Sequence, residues 1–380
     1  MKIAFIHTDK KLLTGAHFAN DFMVERLRSE AVKVKNFYPK RPVFEAPVPL
    51  KGFRNILFFY SLLEQSRAIL KYDLIQGTTY TPLAFLALSI PVVSHFGSTS
   101  WGFLKAVPLA KDLEPELRKI WSDLKNSGVI SELNLKTRRP LRDIAEIEQL
   151  VALKADAVIA TSQIVLDDLL SVGVKREKIH LIANAIEDFW FDRPPGQISG
   201  SSCLVFLGRL GVDSFTLKLK GLDRLIDYYR SFPKIPKHTI GAVSNGKLPG
   251  WLNNKIPNHQ FYPRLSKKRL PDLLKGKAGG ILLITSRYEG FSLSLVEGMS
   301  QGLIPVAYPV GIAPEIIKNG VNGFLIRSQE EGKKMIDRLL RLSASKRRSL
   351  ALAAAAAAGL FCSKTVSRRL LEVYRKTVKR

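Results

Sequence analysis

The chain has 380 residues, with 59 Lys and Arg against 33 Asp and Glu for a net charge of +26, and it is 46% apolar and 24% charged. That length accommodates two domains of ordinary size, and the balance excludes a wholly disordered chain. The only cysteines, Cys203 and Cys362, are too few and too far apart for a disulfide framework or a cysteine-rich zinc site, which makes a reducing compartment the expectation.

In chain order, Lys2–His7 reads as a buried strand, and charges follow it at once in place of the longer apolar core of a signal peptide. A helix is expected over Ala16–Arg28, then strands at Val32–Phe37, Asp73–Gln76, Val92–His95 and Ala157–Ala160. Strands alternating with helices predict a doubly wound α/β domain. Early cations concentrate at Lys33, Lys35, Lys40, Arg41, Lys51 and Arg54. Phe53, Ile56, Leu57, Tyr60 and Leu63 then fall on one helical face, with Arg54, Arg67 and Lys71 elsewhere. Such a stripe either lies on a membrane surface or packs on the domain's own sheet.

Residues 103–153 are charged and lean to helix. Asp192–Ser202, rich in Pro, Gly and Ser, reads as a linker, which sets the domains at 1–190 and 200–360. A second α/β series opens with a strand at Cys203–Leu207, and Gly280–Ile284 is a further buried strand before a helix marked by Leu293, Val296 and Met299. The longest apolar run, Pro82–Val93, is interrupted by Pro91 and is too short to span a bilayer, so the cytoplasm is the expected location. Ala353–Ala358 reads as a close-packed helix, and Val366–Val378 as the last one.

The chemistry concentrates in Ser286–Ile326. Glu289 follows a strand and Glu297 lies in the helix after it. Ligands of open α/β sheets sit beyond the carboxyl ends of strands, and the free N–H groups of a helix start attract phosphate. On the residues alone Glu297 is either a ligand group or half of a capping box, Ser294-x-x-Glu297. Gly208-Arg209-Leu210, followed by Lys218-Leu-Lys220-Gly221-Leu222, brings cations to a loop after a strand. A diphosphate needs such cations as charge develops on it, and Lys218 competes with Lys220 for the role. Near the start, Gly15 permits a close backbone approach at a helix opening. The chain has no Asp-x-Asp pair to hold a divalent metal.

These residues resemble the signature of retaining GT-B glycosyltransferases, in particular family 4 (group 1): Glu289-GFSLSLV-Glu297, then Gly302-Leu-Ile-Pro305-Val306, with Gly208-Arg209-Leu210 and Lys220-Gly221-Leu222 upstream. The resemblance implies a GT-B α/β fold of two Rossmann-like doubly wound domains facing a cleft, with the final helix, 362–380, returning to the first domain. It implies catalytic roles for Glu289 and His95, and diphosphate binding by Arg209, Lys220 and the chain at Ser294 and Leu295. Backbone at Gly290, Phe291 and Ser292 would hold the sugar, Glu297 the ribose, and Gly15 and Ala16 an acceptor or phosphate loop. His7 is a lesser candidate. Ile159–Ser162 and Leu181–Ala185 match two further family segments, with Ala185 where a Gly is usual.

The implied reaction is metal-independent hexose transfer from a nucleoside-diphosphate sugar, UDP- or GDP-linked, with no cofactor. The acceptor stays open among a lipid-linked, lipopolysaccharide-type or other anionic glycan and a soluble compound. The charge also accords with an anionic membrane surface, placing the protein peripherally on the inner face of the cell membrane. A non-catalytic polyanion binder on the same fold is the alternative, and for nucleic acid only the charge argues, without a recognisable module.

Overall fold

The apolar runs of the first half become a parallel sheet in the computed structural model, which describes residues 1–8, 15–40, 53–135, 139–192, 195–198, 202–243, 245–263 and 265–379, backbone alone at 15–18, 53–56 and 139. Its strands are β1 (Lys2–Ile6), β2 (Lys33–Phe37), β3 (Leu74–Thr78), β4 (Val92–Phe96), β5 (Ala157–Ala160) and β6 (Ile179–Leu181), in the order β2-β1-β3-β4-β5-β6. Side chains alternate across a strand, so each buried run supplies two faces. Ile3, Phe5, Leu74, Val93 and Ile159 pack on one side, and Ala4, Ile6, Ile75, Phe96 and Ala160 on the other.

The last helix, Ser363–Val378, covers the first of these faces with Val366, Leu370, Leu371 and Tyr374. The Tyr374 hydroxyl donates to buried Gln76 Oε1 at 2.9 Å. The helix Phe53–Leu63 covers the other face with Phe58 and Leu62. Tyr60 and Leu63, which share the stripe seen in the sequence, instead remain 55% and 42% exposed. Arg41 and Lys51 of the early basic stretch lie outside the described residues.

The second sheet comprises β7 (Leu204–Leu207), β8 (Lys237–Ile240), β9 (His259–Tyr262), β10 (Ile281–Ile284), β11 (Ile304–Ala307) and β12 (Phe324–Leu325). Its order is β12-β11-β10-β7-β8-β9, again parallel. The chain starts at β7, runs outward to β9, and returns to the other flank of β7 with β10. This reversal opens a crevice beyond the carboxyl ends of β7 and β10, the usual ligand position in such sheets.

Two units result, Met1–Trp101 with Arg139–Ala185 and Ser363–Arg380, and Gly102–Arg138 with Ile186–Cys362. Their division departs from the boundaries expected from composition in two places. The change from one unit to the other falls at Ala185 and Ile186, before the Pro-, Gly- and Ser-rich stretch, whose Gly196 lies against the Lys275 carbonyl inside the second unit. Segment 102–138, from the first half of the sequence, belongs to the second unit: its helix Pro115–Asn126 packs on the helix Leu222–Ser231. Leu117, Ile120, Trp121 and Leu124 of that helix are buried, and Tyr228 and Tyr229 are buried on its partner. Among the described residues no helix is long and apolar enough to cross a membrane.

Candidate functional site

Two short segments meet at the crevice of the second sheet. One, 218–221, ends the helix Ser214–Leu219 after β7; the other, 285–289, follows β10. They are zipped together: Arg287 N–H donates to Leu219 O at 2.8 Å, and Thr285 Oγ1 to Lys220 O at 2.9 Å. Gly221 sits where the two cross, with φ 63, and a Cβ there would lie 1.9 Å from Thr285 O. Only glycine fits both demands, which explains the Lys-Gly-Leu sequence in physical terms.

The consequence is that Lys220 and Glu289 face one another. Lys220 Nζ donates to Glu289 Oε1 at 2.5 Å, and Ser286 Oγ donates to the same oxygen at 2.7 Å. Both side chains keep some access to solvent, 28% for Lys220 and 16% for Glu289. Lys218, the competitor, has a different surrounding. It is 1% exposed, donates to Asn134 Oδ1 at 2.8 Å and Pro108 O at 3.3 Å, and lies 5.5 Å from the centre of the Trp121 ring. Arg209 follows β7 and is exposed, with no ion-pair partner among the described residues.

Beyond Glu289, the chain turns through Gly290, Phe291 and Ser292 into the helix Leu293–Ser300. The Phe291 ring is buried against Phe361, with centroids 5.6 Å apart. Ser292 has φ 75 and ψ 70, a left-handed conformation that costs a serine about 1–3 kcal/mol. Its hydroxyl is buried without a hydrogen-bond partner among the described residues. A strained, unsatisfied residue at a helix start is a place where an anionic ligand gains most. Ser294 is the second residue of the helix, and Leu295 is buried in the core.

Glu297 does not close a capping box. The helix-start position is Ser292, which makes no side-chain cap bond, and Glu297 Oε1 pairs instead with Lys267 Nζ at 2.9 Å. Lys267 also reaches both oxygens of Glu187, at 2.8 and 3.0 Å. Burial raises the Glu297 pKa, and Lys267 opposes that rise. Burial alone would lower Lys267, but Glu297 and Glu187 together hold it above the usual lysine value.

Sequence reasoning missed Lys267 and Glu187, because Lys267 is one of three consecutive cations and its partners are remote in sequence. It also missed a buried brace: Arg287 donates to Asp223 through both terminal nitrogens, at 2.8 and 2.7 Å, and fixes the segment before Glu289 to the helix Leu222–Ser231. Among the described residues no three acids, histidines or cysteines are grouped as a metal ion would require.

In the first unit, His95 lies within β4 rather than at its end. Burial lowers its pKa to about 4, against a hydrogen bond with Asn184, so its imidazole is neutral near pH 7. His7 is stacked between Phe5 and Tyr38, with centroids 4.6 and 4.9 Å away. Ser162 caps the helix Gln163–Ser171 by accepting from Val165 N–H, a structural task. Gly15 and Ala16 are the first residues of the helix Gly15–Ser29, and residues 9–14 before them lie outside the described residues.

Residues 210–357 match the model described as glycosyl transferases group 1, and residues 23–188 match that of glycosyltransferase family 4. The chain belongs to this glycosyltransferase family. An uncharacterized glycosyltransferase of Methanocaldococcus jannaschii is 30% identical over 214 residues, 51% of this chain and 52% of that protein. The chain thus spans about half the length of the first curated relatives it matches. Among solved structures, sucrose-phosphate synthase from Thermosynechococcus elongatus has a TM-score of 0.75 at 15% identity, covering 99% of this chain and 98% of that one. The Anabaena protein HepE, solved with UDP-glucose, has a TM-score of 0.67 at 19% identity, covering 99% and 100%. At such identities these matches establish the fold, which is GT-B.

Proposed function

We propose that this chain is a retaining, metal-independent glycosyltransferase that moves a hexose from a nucleoside-diphosphate sugar to a hydroxyl of a lipid-linked, lipopolysaccharide-type or other anionic glycan. The observation that carries the reading is the contact of Lys220 with Glu289 at the crevice of the second sheet, beside an unsatisfied helix start. Family membership supports it, and the structure solved with UDP-glucose supports a nucleotide-sugar donor.

In this reading the diphosphate lies between Lys220, the exposed Arg209 and the backbone N–H groups near Ser294 and Leu295. Cations and N–H dipoles aimed there stabilise the charge that appears on the departing oxygen. Glu289 holds the sugar, helped by the backbone of Gly290, Phe291 and Ser292, and Glu297, oriented by Lys267, holds the ribose. His95, neutral, contributes a hydrogen bond rather than a charge toward the donor, and Gly15 and Ala16 serve the acceptor. The bond from the anomeric carbon to the diphosphate breaks, the acceptor oxygen bonds to that carbon on the same face, and its proton passes to the departing phosphate. Glu289 is committed to Lys220 and Ser286, which suits a positioning and charge-stabilising part better than that of a free nucleophile.

The net charge of +26 and the outward Tyr60 and Leu63 favour work at an anionic membrane surface on the cytoplasmic side. The test is a metal-free panel of UDP-, GDP- and ADP-sugars, scored by thermal stabilisation and donor hydrolysis for the native chain and Glu289→Ala. One donor should stabilise the native protein, with hydrolysis lost in the variant. Silence toward every donor, alongside tight salt-sensitive binding to anionic vesicles or nucleic acid, would favour a non-catalytic polyanion binder.

A further inference from the structure

The segment 102–138 leaves the first unit at Trp101 and rejoins it at Arg139, yet within the second unit it grips both walls of the candidate site. On one wall, the Phe103 ring meets Tyr288 edge to face, with centroids 5.3 Å apart and planes at 85°. Tyr288 is 7% exposed and immediately precedes Glu289. On the other wall, Lys218 is a buried cation whose Nζ is received by Asn134 Oδ1 and Pro108 O over the Trp121 ring. Lys218 lies two residues before Lys220.

The two walls are also joined at one atom. Lys218 O accepts from Arg287 Nη1 at 2.7 Å and from Gly221 N–H at 2.9 Å, so the position of Lys218 is transmitted to the 285–289 wall as well as to its own. Asn134 is itself fixed, because Oδ1 also accepts from Ala110 N–H at 2.9 Å. The segment is anchored away from the site by Trp251 Nε1, which donates to Ser127 Oγ at 3.1 Å, and by an Arg230–Asp123 pair at 3.2 Å. A buried ammonium must stay hydrogen-bonded, and segment 102–138 supplies two of the acceptors that hold Lys218.

We propose that segment 102–138 is a positioning arm for the donor sugar, with Asn134 acting through Lys218 on Lys220 and Phe103 acting through Tyr288 on Glu289. Neither residue touches the donor. The arm sets the separation and aim of the Lys220–Glu289 pair: through Phe103 it governs the discrimination between a nucleotide sugar and the bare nucleotide, and through Asn134 it holds a cation that both use. This rests on the glycosyltransferase reading of the same site. The Phe103 prediction is specific to the sugar because, among the described residues, no hydrogen bond, ion pair or ring contact joins Phe103 to the groups assigned to the nucleotide, Lys220, Arg209, Glu297 and the start of the helix Leu293–Ser300.

The experiment measures, by calorimetry, the affinities of UDP, GDP and ADP and of their hexose conjugates for the native chain, Asn134→Ala, Asn134→Asp, Phe103→Ala and Phe103→Tyr, with the melting temperature of each. Phe103→Ala should weaken the nucleotide sugar about tenfold while the nucleoside diphosphate changes by less than about twofold, and Asn134→Ala, which acts on a cation of the diphosphate, should weaken both about tenfold. Asn134→Asp keeps an acceptor for Lys218 and Ala110, and Phe103→Tyr keeps the edge contact, so both should keep the native affinities. An unchanged ratio in Phe103→Ala, or unchanged affinities in Asn134→Ala, would overturn the proposal. So would losses in both variants that only track melting temperature, with Phe103→Ala losing sugar and bare nucleotide in parallel, which a purely structural arm would give. A native chain that binds none of these donors would instead overturn the glycosyltransferase reading, and the arm's role with it.

Discussion

Each unit is a six-stranded parallel sheet with helices on both faces, but the crevices where their strand order reverses are built from different groups. In the first sheet the reversal lies between β1 and β3, and among the described residues uncharged bonds occupy it. Thr81 Oγ1 accepts from Thr78 N–H at 2.8 Å and donates to Ile6 O at 3.3 Å, while His7 is stacked between aromatic rings. In the second sheet the reversal holds an ammonium, a carboxylate and a strained serine with an unused hydroxyl. Similar sheets can thus position very different chemistry. The ammonium and carboxylate of the second crevice need bracing that the uncharged bonds of the first do not, because separated charges in a partly dry site must be fixed by their surroundings.

The largest effect should come from removing that bracing. Arg287→Ala leaves Asp223 fully buried without its bidentate partner, and the unfolding free energy should fall by about 3–5 kcal/mol. In the first unit, Arg26→Ala breaks a surface pair with Glu30 and should cost about 0.5 kcal/mol or less. Urea midpoints measure both, and equal costs would erase the distinction between the units. Next, Glu289→Gln should lower donor turnover about 100-fold with little change in melting temperature. His95→Asn, replacing a neutral hydrogen-bonding group, should lower it only about tenfold. A greater loss from His95→Asn would move the chemical weight to the first sheet.

Smaller again is Gly221→Ala. Its Cβ collides with Thr285 O in a left-handed backbone and should cost about 2 kcal/mol. Gly97→Ala, where the added carbon meets nothing within 4 Å, should change stability by about 0.5 kcal/mol or less. The smallest net effect is expected from pH, since two groups of the first unit oppose each other. Burial pushes Glu148 up to about 7 from 4.5, against hydrogen bonds from Ser100 and Thr79. Its folded form keeps a proton that the unfolded chain has released, so its contribution is fully present below pH 4.5 and lost as pH rises through 7. His95, lowered to about 4 from 6.5, contributes above pH 6.5, and that is lost as pH falls through 4. Glu148→Gln should flatten the fall in stability from pH 5 to 7, and His95→Asn the fall from pH 6 to 4. Variant curves that coincide with the native one across that range would show that burial is not the cause.

Much of the fold was legible because buried parallel strands are short apolar runs, and Lys2–Ile6, Leu204–Leu207 and Ile281–Ile284 stand out as such. The helix Phe53–Leu63 was harder. Its period predicted a helix, but the residues that face the sheet, Phe58 and Leu62, are offset from the stripe that Tyr60 and Leu63 share, and only packing distinguishes two apolar faces. The position of segment 102–138 was illegible for a similar reason. Its helix carries one buried stripe, and nothing in that stripe says which sheet's helices it meets.

At the site, the amino-acid sequence by itself determined the order of the groups: Gly208 and Arg209 after one strand, Lys220 and Gly221 after the next helix, Glu289 and Glu297 around a turn. Chain connectivity places them near strand ends, because a strand and the loop after it are covalently continuous. Tertiary structure alone decided which lysine meets Glu289, since Lys218 and Lys220 differ by half a helical turn and hence by the direction in which each side chain leaves the backbone. It also decided that Glu297 turns to Lys267 and not to its own helix start. Local preferences for capping are worth about 1 kcal/mol, and a buried carboxylate without a cation costs several times that, so the longer-range pair prevails.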